Sequence, residues 1–156
     1  MTTLLTQILA AGIGTVAFGA IFGVPTRYYP YCGVIGGAGW AVYVVLWQML
    51  ELWSEPYVVF FATMLVILLS RFFAVLERCP VTIFLISGIL PLVPGAGIYW
   101  TSYYVVTNQL EEASRRGFLA LKVAVAIVLG IVIVFEIPQG FFRAAVGAIA
   151  GKREKS

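Results

Sequence analysis

Apolar residues gather into five long runs, parted by short polar stretches marked with proline or glycine. The runs cover about residues 4–23, 31–50, 57–76, 81–106 and 118–137. Roughly 20 consecutive apolar residues suffice for a helix to cross the hydrocarbon core, so the pattern predicts five spans. The links carry loop punctuation: Val24-Pro25-Thr26-Arg27, Ser54-Glu55-Pro56, Glu77-Arg78-Cys79-Pro80 and the polar stretch 108–117. Pro138 closes the fifth run. After it, residues 141–150 are too few to cross and are expected to lie in the interface, with Phe141, Phe142, Val146 and Ile149 inward.

The fourth run is interrupted. No charged residue or histidine occurs from Cys79 to Leu110, and in the middle stands Pro91-Leu92-Val93-Pro94-Gly95-Ala96-Gly97. Each proline deletes a backbone donor and crowds the preceding turn. In hydrocarbon such a break survives only when buried in protein or lining a cavity, and broken helices near mid-depth are one way transporters build a binding site. A helix restarting near residues 95–98 presents unpaired N–H groups and a positive dipole end, suited to a carboxylate. The upstream half, ending near Leu90, would leave carbonyls for a cation or an ammonium group. An amino-acid zwitterion would use both ends; a dicarboxylate would use one. The plainer alternative is a packing kink with no ligand.

Composition agrees with a membrane setting. The 156 residues are 62% hydrophobic and 11% charged, against about 25% charged in a soluble domain. The expectation is an all-α integral membrane protein forming a single transmembrane domain over 1–156, with the fourth of five helices broken at Pro-x-x-Pro-Gly. Met1-Thr2-Thr3-Leu4-Leu5 carries no charge, which predicts a retained span rather than a cleaved signal. The net charge of +3 comes largely from Lys152, Arg153 and Lys155 against Glu154, read as a topology signal and headgroup anchor rather than a nucleic-acid contact. With five spans, Arg27, Arg71, Arg78, Arg143, Lys152, Arg153 and Lys155 share one side, opposite Arg115 and Arg116 with Glu51, Glu55, Glu111 and Glu112. That predicts a multi-pass plasma (inner) membrane protein with the N-terminus outside and the C-terminus cytoplasmic.

The chain has no histidine and no aspartate, and Cys32 and Cys79 lack metal-type spacing. No nucleophile–base pair, phosphate loop or metal set can be assembled, so neither an enzyme nor a cofactor is expected. Candidate substrate contacts are Pro91, Pro94, Gly95 and Gly97 at the break, then Tyr99 and Ser102, which share a face with Tyr103 by helical spacing. Lys122 either snorkels to the interface or faces the cavity as a counter-charge. Arg27 is either a topology charge or a collector of anionic substrate, and Glu136 a headgroup-level residue or a proton-coupling carboxylate. Gly19-x-x-x-Gly23 and Gly33-x-x-x-Gly37 are candidate helix-packing faces, within the chain or against a partner.

Two segments carry a family likeness. Phe18-x-x-x-Phe22-x-Val24-Pro25-x-Arg27, followed by Cys32 and Gly36, resembles the first loop in the C-terminal half of the threonine/serine exporter family. Ile89-Leu90-Pro91-x-x-Pro94-Gly95-x-x-x-Tyr99 is similar to that family's most recognisable motif. The likeness spans nearly the whole chain and implies the small subunit of a split exporter whose other half is a larger membrane chain. The substrates it implies are threonine and serine, or succinate in a related two-chain branch. Lys122, Glu136 and a longer C-terminal tail depart from the succinate-type pattern. An odd number of spans fits half of a two-part machine. The resulting expectation is a subunit exporting small carboxylate-bearing metabolites, with a larger partner and a higher oligomer as possible assemblies. A non-transporting scaffold and a channel-like homo-oligomer are the alternatives.

Overall fold

The computed structural model describes residues 2–49 and 54–153, with side chains for 4–48 and 54–147. Seven α-helices and no strand occur among the described residues: α1 (Thr2–Ile21), α2 (Tyr29–Met49), α3 (Glu55–Glu77), α4 (Thr82–Ile89), α5 (Gly95–Val106), α6 (Leu110–Phe135) and α7 (Gln139–Arg153). Four are long and apolar enough to cross a membrane, and α4 with α5 forms a bent fifth. The chain is an all-α membrane protein. The side chains of Glu51, Ile149, Lys152, Arg153 and Lys155, invoked for topology and for the interfacial segment, lie outside the described residues.

Three helix ends close in the same way, with one residue at positive φ. Gly23 (φ 72°) ends α1, its N–H bonding Ala20 O at 3.1 Å while the Val24 N–H reaches Gly19 O at 2.9 Å. This is the paired bonding of a Schellman end, which satisfies carbonyls that the last turn leaves free. Asn108 (φ 58°) ends α5 with Asn108 N–H to Val105 O and Gln109 N–H to Tyr104 O. Arg78 (φ 52°) ends α3, and the Cys79 N–H reaches Ala74 O at 3.0 Å. Asparagine tolerates this backbone; arginine is a costlier occupant.

Two sequence expectations are corrected here. The polar stretch after Asn108 is not a loop up to Gly117: α6 begins at Leu110, two turns before the apolar run. Glu111 and Glu112 in its first turn oppose the positive helix end, and Arg115 pairs with Glu112 at 2.8 Å. Hydropathy cannot register a helix that continues past the membrane boundary on charged residues. Gly19-x-x-x-Gly23 is only half a packing face: a Cβ at Gly19 would touch Val24 and Cys32 at 3.7–3.8 Å, but Gly23 is the turn itself and a Cβ there would meet nothing within 4 Å. Gly33-x-x-x-Gly37 does pack, against Val16 and Ile8 of α1.

The helices meet closely through glycine. A Cβ built at Gly36 of α2 would fall 1.8 Å from Thr15 Oγ1 of α1, and one at Gly39 would fall 2.4 Å from Val66 Cγ2 of α3. Such approach is how helices associate where water supplies no driving force. α3 is the central element, packing against α2, α4, α6 and α7. Tyr28, Ile35, Val59, Ile67, Phe84 and Val123 are among the buried core residues. Two buried hydroxyls are satisfied on their own helices, Thr15 by Ala11 O at 2.8 Å and Ser70 by Val66 O at 2.7 Å, whereas the buried Thr63 hydroxyl has no partner. Arg71 is not a free topology charge: it is buried and donates to the carbonyls of Val134 and Phe135 at the end of α6. Beyond Pro138, α7 returns to dock on α3. Phe142 is buried there, whereas Phe141 is 66% exposed, so only one of the two faces inward as the sequence reading expected.

Candidate functional site

The fourth span breaks where the prolines stand. α4 runs into a 3-10 turn at Leu90–Leu92, Val93 is extended, and α5 restarts at Gly95 with a bend of 51°. At about 1.5 Å per residue, the segment Thr82–Leu92 rises roughly 16 Å, half of a hydrocarbon core about 30 Å thick. The break therefore comes near mid-depth for a span that starts at Thr82.

Its main-chain groups are unequally satisfied. The Val93 N–H bonds Leu90 O at 3.1 Å and the Gly95 N–H bonds Val93 O at 2.7 Å. The upstream carbonyls expected to be free near Leu90 are thus partly engaged by the 3-10 turn, which corrects the notion of an open cation end. On the other side, Pro94 has no side-chain oxygen to cap α5 and no cap bond is formed. The Ile98 N–H bonds Pro94 O at 3.1 Å. The N–H groups of Ala96 and Gly97, in the first turn, have no intrahelical acceptor.

The break borders a cavity of about 390 Å³. Its floor and one side are Pro91, Leu92, Val93, Pro94, Gly95, Ala96 and Gly97. The remaining walls are Trp40 and Tyr43 from α2, Glu55 and Val59 from α3, Trp100 from α5, and Arg116, Leu119, Ala120 and Val123 from α6. The volume falls in the ordinary small-molecule range. Trp40 and Tyr43 stack with ring centroids 5.0 Å apart, and Tyr43 continues the stack to Trp47 at 6.3 Å. The Trp40 indole nitrogen is buried without a hydrogen-bond partner, a costly state for a donor. Glu55 and Arg116 bring one charge of each sign. Among the described residues the ion pair formed is Arg115–Glu112, so Glu55 and Arg116 are not consumed by each other.

Four of the expected contacts, Pro91, Pro94, Gly95 and Gly97, belong to this lining. The other four stand elsewhere. Tyr99 is 63% exposed, and Ser102 is exposed with its hydroxyl bonded to Ile98 O at 3.0 Å, on the outer side of α5. Lys122 lies 4.7 Å over the Phe118 ring and borders a separate, mainly apolar hollow between α3 and α6 with Tyr57, Phe60 and Leu129. Arg27 sits against the Tyr28 ring, 4.4 Å from its centroid, in the α1–α2 link. The Ser87 hydroxyl, one turn before Pro91, donates to Ile83 O and Phe84 O of its own helix.

Sequence reasoning passed over Trp40, Tyr43, Glu55, Trp100 and Arg116. The signal for the first two was the spacing Trp40, Tyr43, Trp47, which places three aromatics on one helical stripe. Glu55 and Arg116 look like ordinary loop charges until α3 and α6 are known to converge on the break. A family model described as "Threonine/Serine exporter, ThrE" matches residues 7–137. Neither the curated proteins nor the solved structures give a match.

Proposed function

The chain belongs to the threonine/serine exporter family, and from that premise we propose that it is one subunit of a membrane exporter holding a small carboxylate-bearing metabolite beside the interrupted span. The observation that supports this best is the uncapped start of α5 on a cavity that Glu55 and Arg116 also line. A carboxylate accepts from the Ala96 and Gly97 N–H groups, with Arg116 adding positive charge. An ammonium group is drawn to Glu55. Threonine and serine carry both groups. A dicarboxylate such as succinate uses the Arg116 side but meets repulsion from Glu55, so the lining favours the amino acid.

The second half of the machine is a larger membrane subunit of the same family. α5 packs chiefly on α6 and has no buried residue, so one side of the site is open to a further wall. In the orientation with the N-terminus outside and the C-terminus cytoplasmic, in the plasma (inner) membrane, the cavity opens toward the exterior through Glu55 and Arg116. That is the releasing state of an alternating-access cycle.

Threonine efflux from cells carrying this chain with its larger partner, either chain alone, or neither tests the proposal. Saturable efflux is expected from the pair only. Full efflux by the partner alone would make this chain a scaffold, and non-saturating conductance by this chain alone would make it a homo-oligomeric pore.

A further inference from the structure

At the end of the molecule away from Glu55 and Arg116 lies another hollow, of about 670 Å³, between the C-terminal turns of α3, the α3–α4 link and the first turns of α7. Arg71, Arg78, Arg143 and Gln139 line it, and no carboxylate does. Each guanidinium is brought there by a different device. Arg71 is 7% exposed and fixed by two carbonyls of α6 and by the ring faces of Phe135 at 5.4 Å and Phe142 at 4.5 Å. Arg78 occupies the left-handed position that ends α3. Arg143 stands in the first turns of α7, and Gln139 opens that helix, whose positive end adds to the field. The nearest acid on α3, Glu77, is held by the Tyr31 hydroxyl at 2.6 Å and does not enter the hollow.

Three cations around one cavity without an acid repel one another unless an anion neutralises them. Forked guanidinium donors match the oxygens of a phosphate group. The position selects the source. The hollow lies where α3 and α6 both end, at headgroup depth for spans of this length, and Phe141 projects from α7 beside it, 66% exposed. We propose that this cavity binds the phosphate of an anionic phospholipid headgroup, which bridges Arg78 to Arg143 and so fastens α7 to the bundle. The site shares no residue with the cavity at the interrupted span, so the two readings stand or fall separately.

The test uses the purified full chain and native mass spectrometry with dioleoylphosphatidylglycerol, dioleoylphosphatidylcholine and inorganic phosphate as probes. Phosphatidylglycerol should be retained preferentially, and the Arg78→Gln/Arg143→Gln variant should bind it about tenfold more weakly or worse. Arg115→Gln, at the opposite end, should bind as the unaltered chain does. Both substituted side chains are exposed, and an unchanged lipid-free melting midpoint would show that the fold survives. Equal retention of the two lipids by the unaltered chain overturns the proposal, whatever the variant does. Equal binding of phosphatidylglycerol by variant and unaltered chain overturns it too. Displacement of the lipid by inorganic phosphate at comparable concentration overturns the lipid assignment in favour of a soluble oxyanion.

Discussion

Gly97 stands against Ala120 so closely that a Cβ built on Gly97 would lie 3.2 Å from the Ala120 Cβ. The restart of the broken span is therefore pressed directly onto α6, and both residues line the cavity. One turn on, Thr101 meets Gly117 in the same manner, at 3.1 Å from the Cβ a residue there would carry. These contacts set the direction in which α5 leaves the break. Gly97→Val should push α5 off α6 and reduce efflux strongly, while Gly97→Ala/Ala120→Gly restores most of it. Transport by Gly97→Val at the normal rate, with normal membrane abundance, would show that this contact does not set the site.

Arg71 links three elements through one guanidinium. It satisfies carbonyls at the end of α6 and stacks with Phe142 of α7. Hydrogen bonds to a charged group contribute about 1.5–3 kcal/mol. Arg71→Met removes them and leaves the carbonyls of Val134 and Phe135 without this donor. Expected outcomes are a lower melting midpoint in detergent, with a loss of about 2 kcal/mol, and faster proteolysis of the segment after Pro138. An unchanged midpoint and cleavage rate would mean that α7 is held by other contacts.

Thr15 and Gly36 test the packing of α1 on α2. Even a methyl group at Gly36 would overlap Thr15, and overpacking of this kind typically costs about 1–3 kcal/mol. Gly36→Ala should lower thermal stability, and Thr15→Gly in the same chain should recover part of it despite glycine's weak helix propensity. A stable Gly36→Ala chain with no need of the second change would contradict the close approach.

Cys79 should be a slow thiol. Burial pushes its pKa above the ordinary thiol value; the Tyr28 hydroxyl pulls it back in part, and Glu77 pushes it up again. A raised pKa means less thiolate at any given pH, and thiolate is the reacting form. In a Cys32→Ser background, N-ethylmaleimide labelling should be slower than for a free cysteine at pH 7 and should accelerate as pH rises through and beyond the ordinary thiol range. Labelling at the free-cysteine rate near neutrality would place Cys79 in a more open or more positive setting.

Much of the architecture was legible because membrane spans are written in hydropathy. Five runs predicted five crossings, and two prolines with two glycines predicted the place where the fourth would break. The start of α6 was illegible for the converse reason: Leu110 to Gly117 is charged and helical at once, so its apolarity says nothing of its backbone. The cavity was half legible. Pro91, Pro94, Gly95 and Gly97 announce themselves by chemistry that no regular helix wants. Trp40, Glu55 and Arg116 come from three other helices and reach the site only through packing. For Tyr99 and Ser102 the helical period placed both on one face, but not which way that face turns; it turns outward. Arg71 read as one more positive charge because its partners, 63 and 64 residues away, are main-chain carbonyls with no sequence signature.

The sharpest test lies at Gly95, which lines the cavity and where a Cβ would meet nothing within 4 Å, so that added bulk displaces no neighbouring helix. Threonine efflux is measured from cells expressing the larger partner with the unaltered chain, Gly95→Ala or Gly95→Leu, at matched membrane abundance. The account predicts near-normal efflux for Gly95→Ala and background efflux for Gly95→Leu. Undiminished efflux by Gly95→Leu would contradict the claim that cargo passes through the hollow beside the interrupted span.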